Sequence, residues 1–249
     1  MHTLYACTVG LCLALGMTPT RAAGELPPIM DLQRSYIAAN GGLANIQELS
    51  SLIADGEITD ADGNRHSFKL YRKRPDLMRM QVDLPGRMQV TTFDGSNGYK
   101  LISREGAPDE VVDLNEEETL ALEMSSSMDG PLFQLRSRPE RLEVVAEVEV
   151  DGESAYEITI SDSADSMYDR VWISQEHYQE VKLTRPLDAG EGGVALEEIY
   201  FSDFEKVRGM WVAKLIRYER GGEHIQTVRI DRLRANVGIF DSFFSKPKR

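Results

Sequence analysis

Several residue types and motifs on which small exported or catalytic domains rely are missing from this chain. Only two cysteines occur in 249 residues, Cys7 and Cys12. Both fall in an apolar leader, so the remainder has no thiol. Disulfides, thiol nucleophiles and thiolate metal sites are excluded together. Histidine is scarce as well. Beyond His2 there are His66, His177 and His224, far apart in sequence, and no H-E-x-x-H pair. No G-x-S-x-G is present, since Gly152-Glu153-Ser154-Ala155 lacks the last glycine. Neither G-x-x-x-x-G-K nor G-x-G-x-x-G occurs. Asp60, Asp62 and Asn64 fail as a calcium loop because Gly63 is misplaced, and Asp162, Asp165 and Asp169 lack both the glycine and the distal glutamate. Both clusters read as solvated turns. The expectation is a protein without catalytic residues, metal or cofactor.

Long apolar runs are also few. The one that stands out is Leu4 to Met17, followed by Thr20-Arg21-Ala22-Ala23, whose small residues suit cleavage. This predicts a secretory signal peptide over residues 1–23, an exported domain over 24–249, and a periplasmic location. No later stretch reaches the roughly 20 apolar residues of a membrane-spanning helix. The formal net charge is −13. So acidic a chain is a poor partner for nucleic acid or for anionic membrane surfaces. A monomer is expected.

What the chain does have is alternation. In Arg72 to Tyr99, RKRPDLMRMQVDLPGRMQVTTFDGSNGY, Met78, Met80 and Val82 fall on one face of a strand, and Met88, Val90 and Thr92 on one face of the next. Period two is the mark of a half-buried antiparallel strand. Pro75, Pro85-Gly86 and Asp94-Gly95 divide the runs. Upstream, Phe68 and Leu70 alternate with Lys69 and Tyr71 in a hairpin turned at Asp62-Gly63. Further strands read from Leu142 to Asn236, separated by Asp, Gly or polar clusters every ten or so residues. Two helical segments interrupt the pattern. The first lies near 27–49, with Pro27 and Pro28 in its first turn and a stop at Asn40-Gly41-Gly42. The second lies near 115–135, capped by Asn115, with Glu116, Glu117 and Glu118 in its first turn and an apolar stripe of Leu120, Ala121, Met124 and Met128. A long antiparallel sheet curls as it twists. The helical segments are then a natural cover for an apolar concave face lined by Phe68, Leu70, Met78, Met80, Val82, Met88, Val90, Leu120, Met124 and Met128. Methionine suits a surface that must change shape.

The run Arg72-Lys73-Arg74-Pro75-Asp76-Leu77, with Asp94-Gly95 and Tyr99 one strand later, resembles the LolA/LolB-like periplasmic carriers of outer-membrane lipoproteins. The Asn40-Gly41-Gly42-Leu43 stop, the Phe201 to Trp211 segment and the closing Phe243-Phe244-Ser245-Lys246-Pro247 are similar to the longer lipoprotein-sorting relatives. The resemblance implies an incomplete antiparallel β-barrel of about eleven strands with a helical lid, mainly β in class. It implies a cavity for acyl chains of lipoproteins or lipids, and a latch at Arg74 that holds the lid when the cavity is empty. It also implies an inner-membrane exporter or an outer-membrane receptor as partner. The alternatives are an envelope sensor or interaction module on the same fold and, behind that, a glycan-acting enzyme with carboxylates brought together by folding.

Overall fold

The computed structural model describes residues 25–161, 166–190 and 193–247, with backbone alone for 188–190. The expected signal peptide lies outside the described residues. Thirteen strands form one sheet, two more than the resemblance implies. They are β1 (Ser51–Asp60), β2 (Arg65–Lys73), β3 (Leu77–Leu84), β4 (Arg87–Phe93), β5 (Gly98–Ser103), β6 (Glu110–Asp113), β7 (Leu142–Val150), β8 (Glu153–Ile160), β9 (Arg170–Ser174), β10 (Glu180–Gly190), β11 (Gly193–Val207), β12 (Met210–Arg220) and β13 (Glu223–Ala235). Among the described residues four α-helices accompany them: α1 (Ile29–Ala39), α2 (Leu43–Glu48), α3 (Glu116–Ser126) and α4 (Pro131–Gln134). Tight hairpins account for the regular spacing. Asp151-Gly152 and Arg208-Gly209 each place two successive residues at positive φ, the backbone that matches strand twist in a two-residue turn.

The strand order is β6-β5-β4-β3-β2-β1-β13-β12-β11-β10-β9-β8-β7. Every neighbour is antiparallel, and β1 closes on β13 at the centre. The free edges are therefore β6 and β7, which are consecutive in the chain. The connection between them carries α3 and α4 from one edge of the open barrel to the other, so it must cross the opening. Both edges are blunted against further pairing. β6 has four residues and bears Glu110 and Asp113, while β7 carries Glu143, Glu147 and Glu149.

The core lies between the sheet and the helices. Leu32 and Tyr36 of α1, Ile46 of α2 and Leu132 of α4 pack with Ile158, Val171, Leu183 and Ile199 from β8 to β11. Each such side chain contributes about 1.5–3 kcal/mol on burial. On the same inner face, Phe68, Leu70, Met80 and Val82 pack with Ile58, Val228 and Ile230. The outer face of β2 to β5 is covered by the C-terminal segment. Phe243 lies 4.8 Å from the Tyr71 ring, Phe244 is fully buried, and the Tyr99 hydroxyl donates to the Ser245 carbonyl at 2.9 Å.

One position tests the central pairing. At Gly56, where the β1–β13 register shifts, a Cβ would lie 1.9 Å from the Arg229 carbonyl oxygen. That neighbour is backbone and cannot swing aside. Gly56→Ala is expected to destabilise the fold by about 1–3 kcal/mol, whereas Gly238→Ala, with open space around it, should stay within about 0.5 kcal/mol. Urea unfolding of the two variants checks this, and equal midpoints would contradict the register.

Candidate functional site

The R-K-R sequence at the end of β2 divides between the two faces of the sheet. Lys73 points outward, donating to the Ile239 carbonyl at 2.7 Å and pairing with Asp241. Arg72 and Arg74, two residues apart, both turn toward the helical cover. Arg72 Nη1 donates to the Ser127 carbonyl at 3.3 Å. Arg74 makes four bonds. Nε donates to Leu49 O at 2.6 Å and Nη2 to Ile46 O at 3.2 Å, at the C-terminal end of α2. Nη1 and Nη2 together grip the Asp129 carboxylate at 2.7 and 2.6 Å. One rigid guanidinium thus ties β2 to both helical segments, a task for which arginine's planar fork of donors is suited. The Asp129 hydrogen bonds raise the Arg74 pKa above its ordinary value, against the effect of burial.

Asp129 belongs to the connector between α3 and α4, residues Ser127 to Gly130. The connector is held by further bonds. The Gln134 amide donates to Asp129 O at 2.7 Å. The buried Gln33 amide of α1 donates to Leu132 O at 3.2 Å, joining α1 to α4. At the far end of α1, Asn40 Oδ1 accepts from the Trp211 amide at 3.0 Å, and Asn45 Nδ2 donates to Arg208 O at 2.8 Å. These two bonds fix α1 and α2 to the β11–β12 turn.

Glu180, at the start of β10, lies beneath the connector. Its carboxylate occupies the space where Gly130 would carry a Cβ, 1.9 Å from Oε1, so glycine permits the close approach. The Tyr36 hydroxyl donates to Oε1 at 3.3 Å. Burial pushes the Glu180 carboxyl up to about 7, the Tyr36 bond opposes the rise, and the Asp129 carboxylate adds to it. Burial first, then Glu180, raises Tyr36 well above the ordinary phenol range.

The structure separates the expected lining residues. Phe68, Leu70, Met78, Met80 and Val82 share the inner face, Leu70 opposite Met80 and Phe68 opposite Val82. Met88 and Val90 do not join them, and this corrects the expectation of one shared face. β3 pairs Met80 with Thr91, Gln81 with Val90 and Asp83 with Met88, so Met88 and Val90 lie on the outer face with Tyr99 and the C-terminal segment. The expected stripe on α3 is also corrected at Leu120, which is 56% exposed. α3 lies against β4 and β5, with Thr119 and Leu114 over Gly98 and Ser126 buried. Met124 is half-buried, and Met128 packs at the margin of the main core. Two clefts are described. One of about 590 Å³ is lined by residues before and within α1 together with Tyr156 and Tyr178. The other, about 320 Å³, lies beside Gly98, Thr119 and Lys246. Neither borders Phe68, Leu70 or Met80. Phe68 is buried on this inner face, whereas Leu70, Met80 and Val82 are only partly buried.

No family model matches the chain, and no curated protein matches it. Solved structures do. A putative outer membrane lipoprotein-sorting protein domain from Vibrio parahaemolyticus superposes with a TM-score of 0.55 at 14% identity, covering 86% of this chain and 95% of that one. A DUF1329 family protein from Desulfovibrio piger gives 0.54 at 18% identity, with 88% and 98% covered. A LolA superfamily protein from Nitrosomonas europaea gives 0.52 at 12% identity, with 89% and 99% covered. At these identities the likeness shows the fold: an open antiparallel barrel with a helical cover, of the LolA kind.

The buried Glu180 makes stability depend on pH in a stated direction. An unfolded glutamate loses its proton near pH ~4.3, whereas the folded one keeps it up to about 7. The native state binds the extra proton in that window, so this group's contribution to stability falls as pH rises through it. Glu180→Gln keeps an acceptor for Tyr36 and removes the titration. Wild-type Tm is expected to fall more than the variant's between about pH 5 and about pH 8. Calorimetry at both values decides, and parallel falls would remove Glu180 from the pH response.

Proposed function

We propose that the protein is a non-catalytic periplasmic carrier. It takes up acyl chains of lipoproteins or lipids on the apolar inner face of its open barrel and moves them toward the outer membrane. The single observation that carries this reading is the Arg74 fork, which joins the end of β2 to both helical segments through four directional bonds. The likeness of fold to a lipoprotein-sorting domain and a LolA superfamily protein supports the same direction. Leu70, Met80 and Val82 are only partly buried on that face, so an acyl chain can add to contacts the protein leaves incomplete, and movement of the cover widens access. Each buried methylene of an acyl chain is worth about 0.8 kcal/mol, so one chain binds reversibly. Reversibility is what a carrier needs. Arg74 is the latch in this reading: its bonds favour the closed, empty state and so drive release.

Native mass spectrometry of protein purified from the periplasm tests the carrier. A mass increment matching an acylated ligand is expected, and protein that never carries or accepts one would count against the reading. Arg74→Leu tests the latch. Loss of this half-buried pair should lower stability by about 1–3 kcal/mol. The variant should bind at least as much acylated ligand and release it about five-fold more slowly or worse, since a ligand shifts an equilibrium only by its preference for one state. Release at the wild-type rate would remove Arg74 from the mechanism.

A further inference from the structure

The inner face is not wholly apolar. Where β2 meets the helical cover it carries Arg72, with Tyr168 and Tyr218 close enough to interact with its charge. Both tyrosines also interact with Arg185. Arg185 has a carboxylate partner in Glu197, which faces it across the β10–β11 ladder, is 5% exposed and also meets Arg220 at 3.4 Å. Arg72 is different. Among the described residues its hydrogen-bond partner is one neutral acceptor, the Ser127 carbonyl at 3.3 Å. Its Nε is out of solvent and has no partner. Among the described residues no carboxylate acts on it, and burial pushes its pKa below the ordinary value. A guanidinium carries five donors and does not lose its proton in proteins. Withdrawing such a charge from water is costly unless an anion meets it. In a chain of net charge −13, an arginine turned inward without an acid is a site that lacks its counterpart.

We propose that Arg72 receives the anionic head of an amphiphile, a carboxylate or a phosphate, with the hydrocarbon tail running along Leu70, Met80 and Val82. The idea rests on the carrier reading above and specifies the chemical class of its cargo. The fork of Arg72 suits either oxyanion, which accepts two parallel N–H bonds. Leu70 and Met80 continue from Arg72 along the same face, one pair along β2 and β3, so head and tail sites are contiguous. The geometry also couples cargo to cover. An anion competes with the Ser127 carbonyl for the guanidinium, and Ser127 is two residues from Asp129, the residue gripped by Arg74. Occupation of Arg72 therefore frees one side of the connector while the Arg74 bonds remain.

The test compares three probes of one chain length, an alkyl alcohol, an alkyl carboxylate and an alkyl phosphate, titrated calorimetrically into the whole protein. Wild type is expected to bind at least one anionic probe about tenfold or more tighter than the alcohol. Which anion is tighter distinguishes a fatty-acid head from a phospholipid head, and either supports the site. Arg72→Gln should lose the preference while keeping its affinity for the alcohol. If that variant does not fold, Arg72→Lys decides in its place: a weakened anion preference supports the site, and an unchanged one overturns it. Equal affinity of wild type for all three probes overturns the anion site and leaves the carrier standing. Binding of none overturns both. A preference that survives in folded Arg72→Gln assigns the anion to another cation and ends the proposal for Arg72.

Discussion

A single guanidinium joins the sheet to both parts of its helical cover. Arg74 stands just past the end of β2 and bonds two helical segments that arrive from different parts of the chain, α2 before the sheet begins and the α3–α4 connector midway through it. α3 buries little apolar surface, with Leu120 open to solvent, and α4 is a single turn. Charge-assisted bonds in a half-buried setting are about twice as strong as neutral ones and are directional. They therefore fix where the cover sits, while the core beneath α1, α2 and α4 supplies most of its apolar burial. The position of Arg74 follows from topology. β2 lies next to the central β1–β13 seam, and the connector crosses from edge to edge above it.

Much of the sheet was legible in the sequence because its causes are local. Alternation, Asp-Gly turns and proline breaks are read within ten residues, and they mark the strands one after another. The start of α3 was equally local: Asn115 Oδ1 accepts from the Glu118 amide at 2.8 Å, and Glu118 reciprocates to the Asn115 amide at 3.1 Å, a complete capping box. What alternation alone could not give was the shared face of neighbouring strands. That is set by the parity of the turn. The two-residue turn at Pro85-Gly86 pairs Leu84 with Arg87, so an even-numbered residue of β3 always stands opposite an odd-numbered one of β4. Met78 and Met80 are thereby separated from Met88 and Val90.

The α3 stripe shows a second kind of limit. Leu120, Met124 and Met128 share a helical face by spacing, yet a helix that lies on a sheet edge through Thr119 and Ser126 can leave part of its apolar face in water. Periodicity ranks faces by hydropathy and says nothing about where the neighbouring backbone is. The polar set around the connector had no local signal at all. Tyr36, Asp129 and Glu180 are separated by more than fifty residues from one another, and only the crossing of the connector over β10 brings them together. Asp129-Gly130-Pro131 reads as a helix stop, but α3 already ends at Ser126 and Pro131 opens α4; its carboxylate's role at Arg74 and its glycine's role against Glu180 are long-range facts.

These contacts give the cover two opposing biases at one place. Arg72 and Arg74 pull the connector down through a carbonyl and a carboxylate. Glu180 presses on it from below, and when ionised it sets a second negative charge near Asp129 in a site where charge is poorly solvated. Asp129 is attracted by Arg74 on one side and repelled by Glu180 on the other, so the closed state is held less firmly than the count of hydrogen bonds alone implies. A cover sealed by a continuous leucine seam would lack that balance, because hydrophobic burial scales with area and does not change sign with protonation. The balance sits in ionisable groups at the connector between α3 and α4, where Asp129 meets both Arg74 and Glu180.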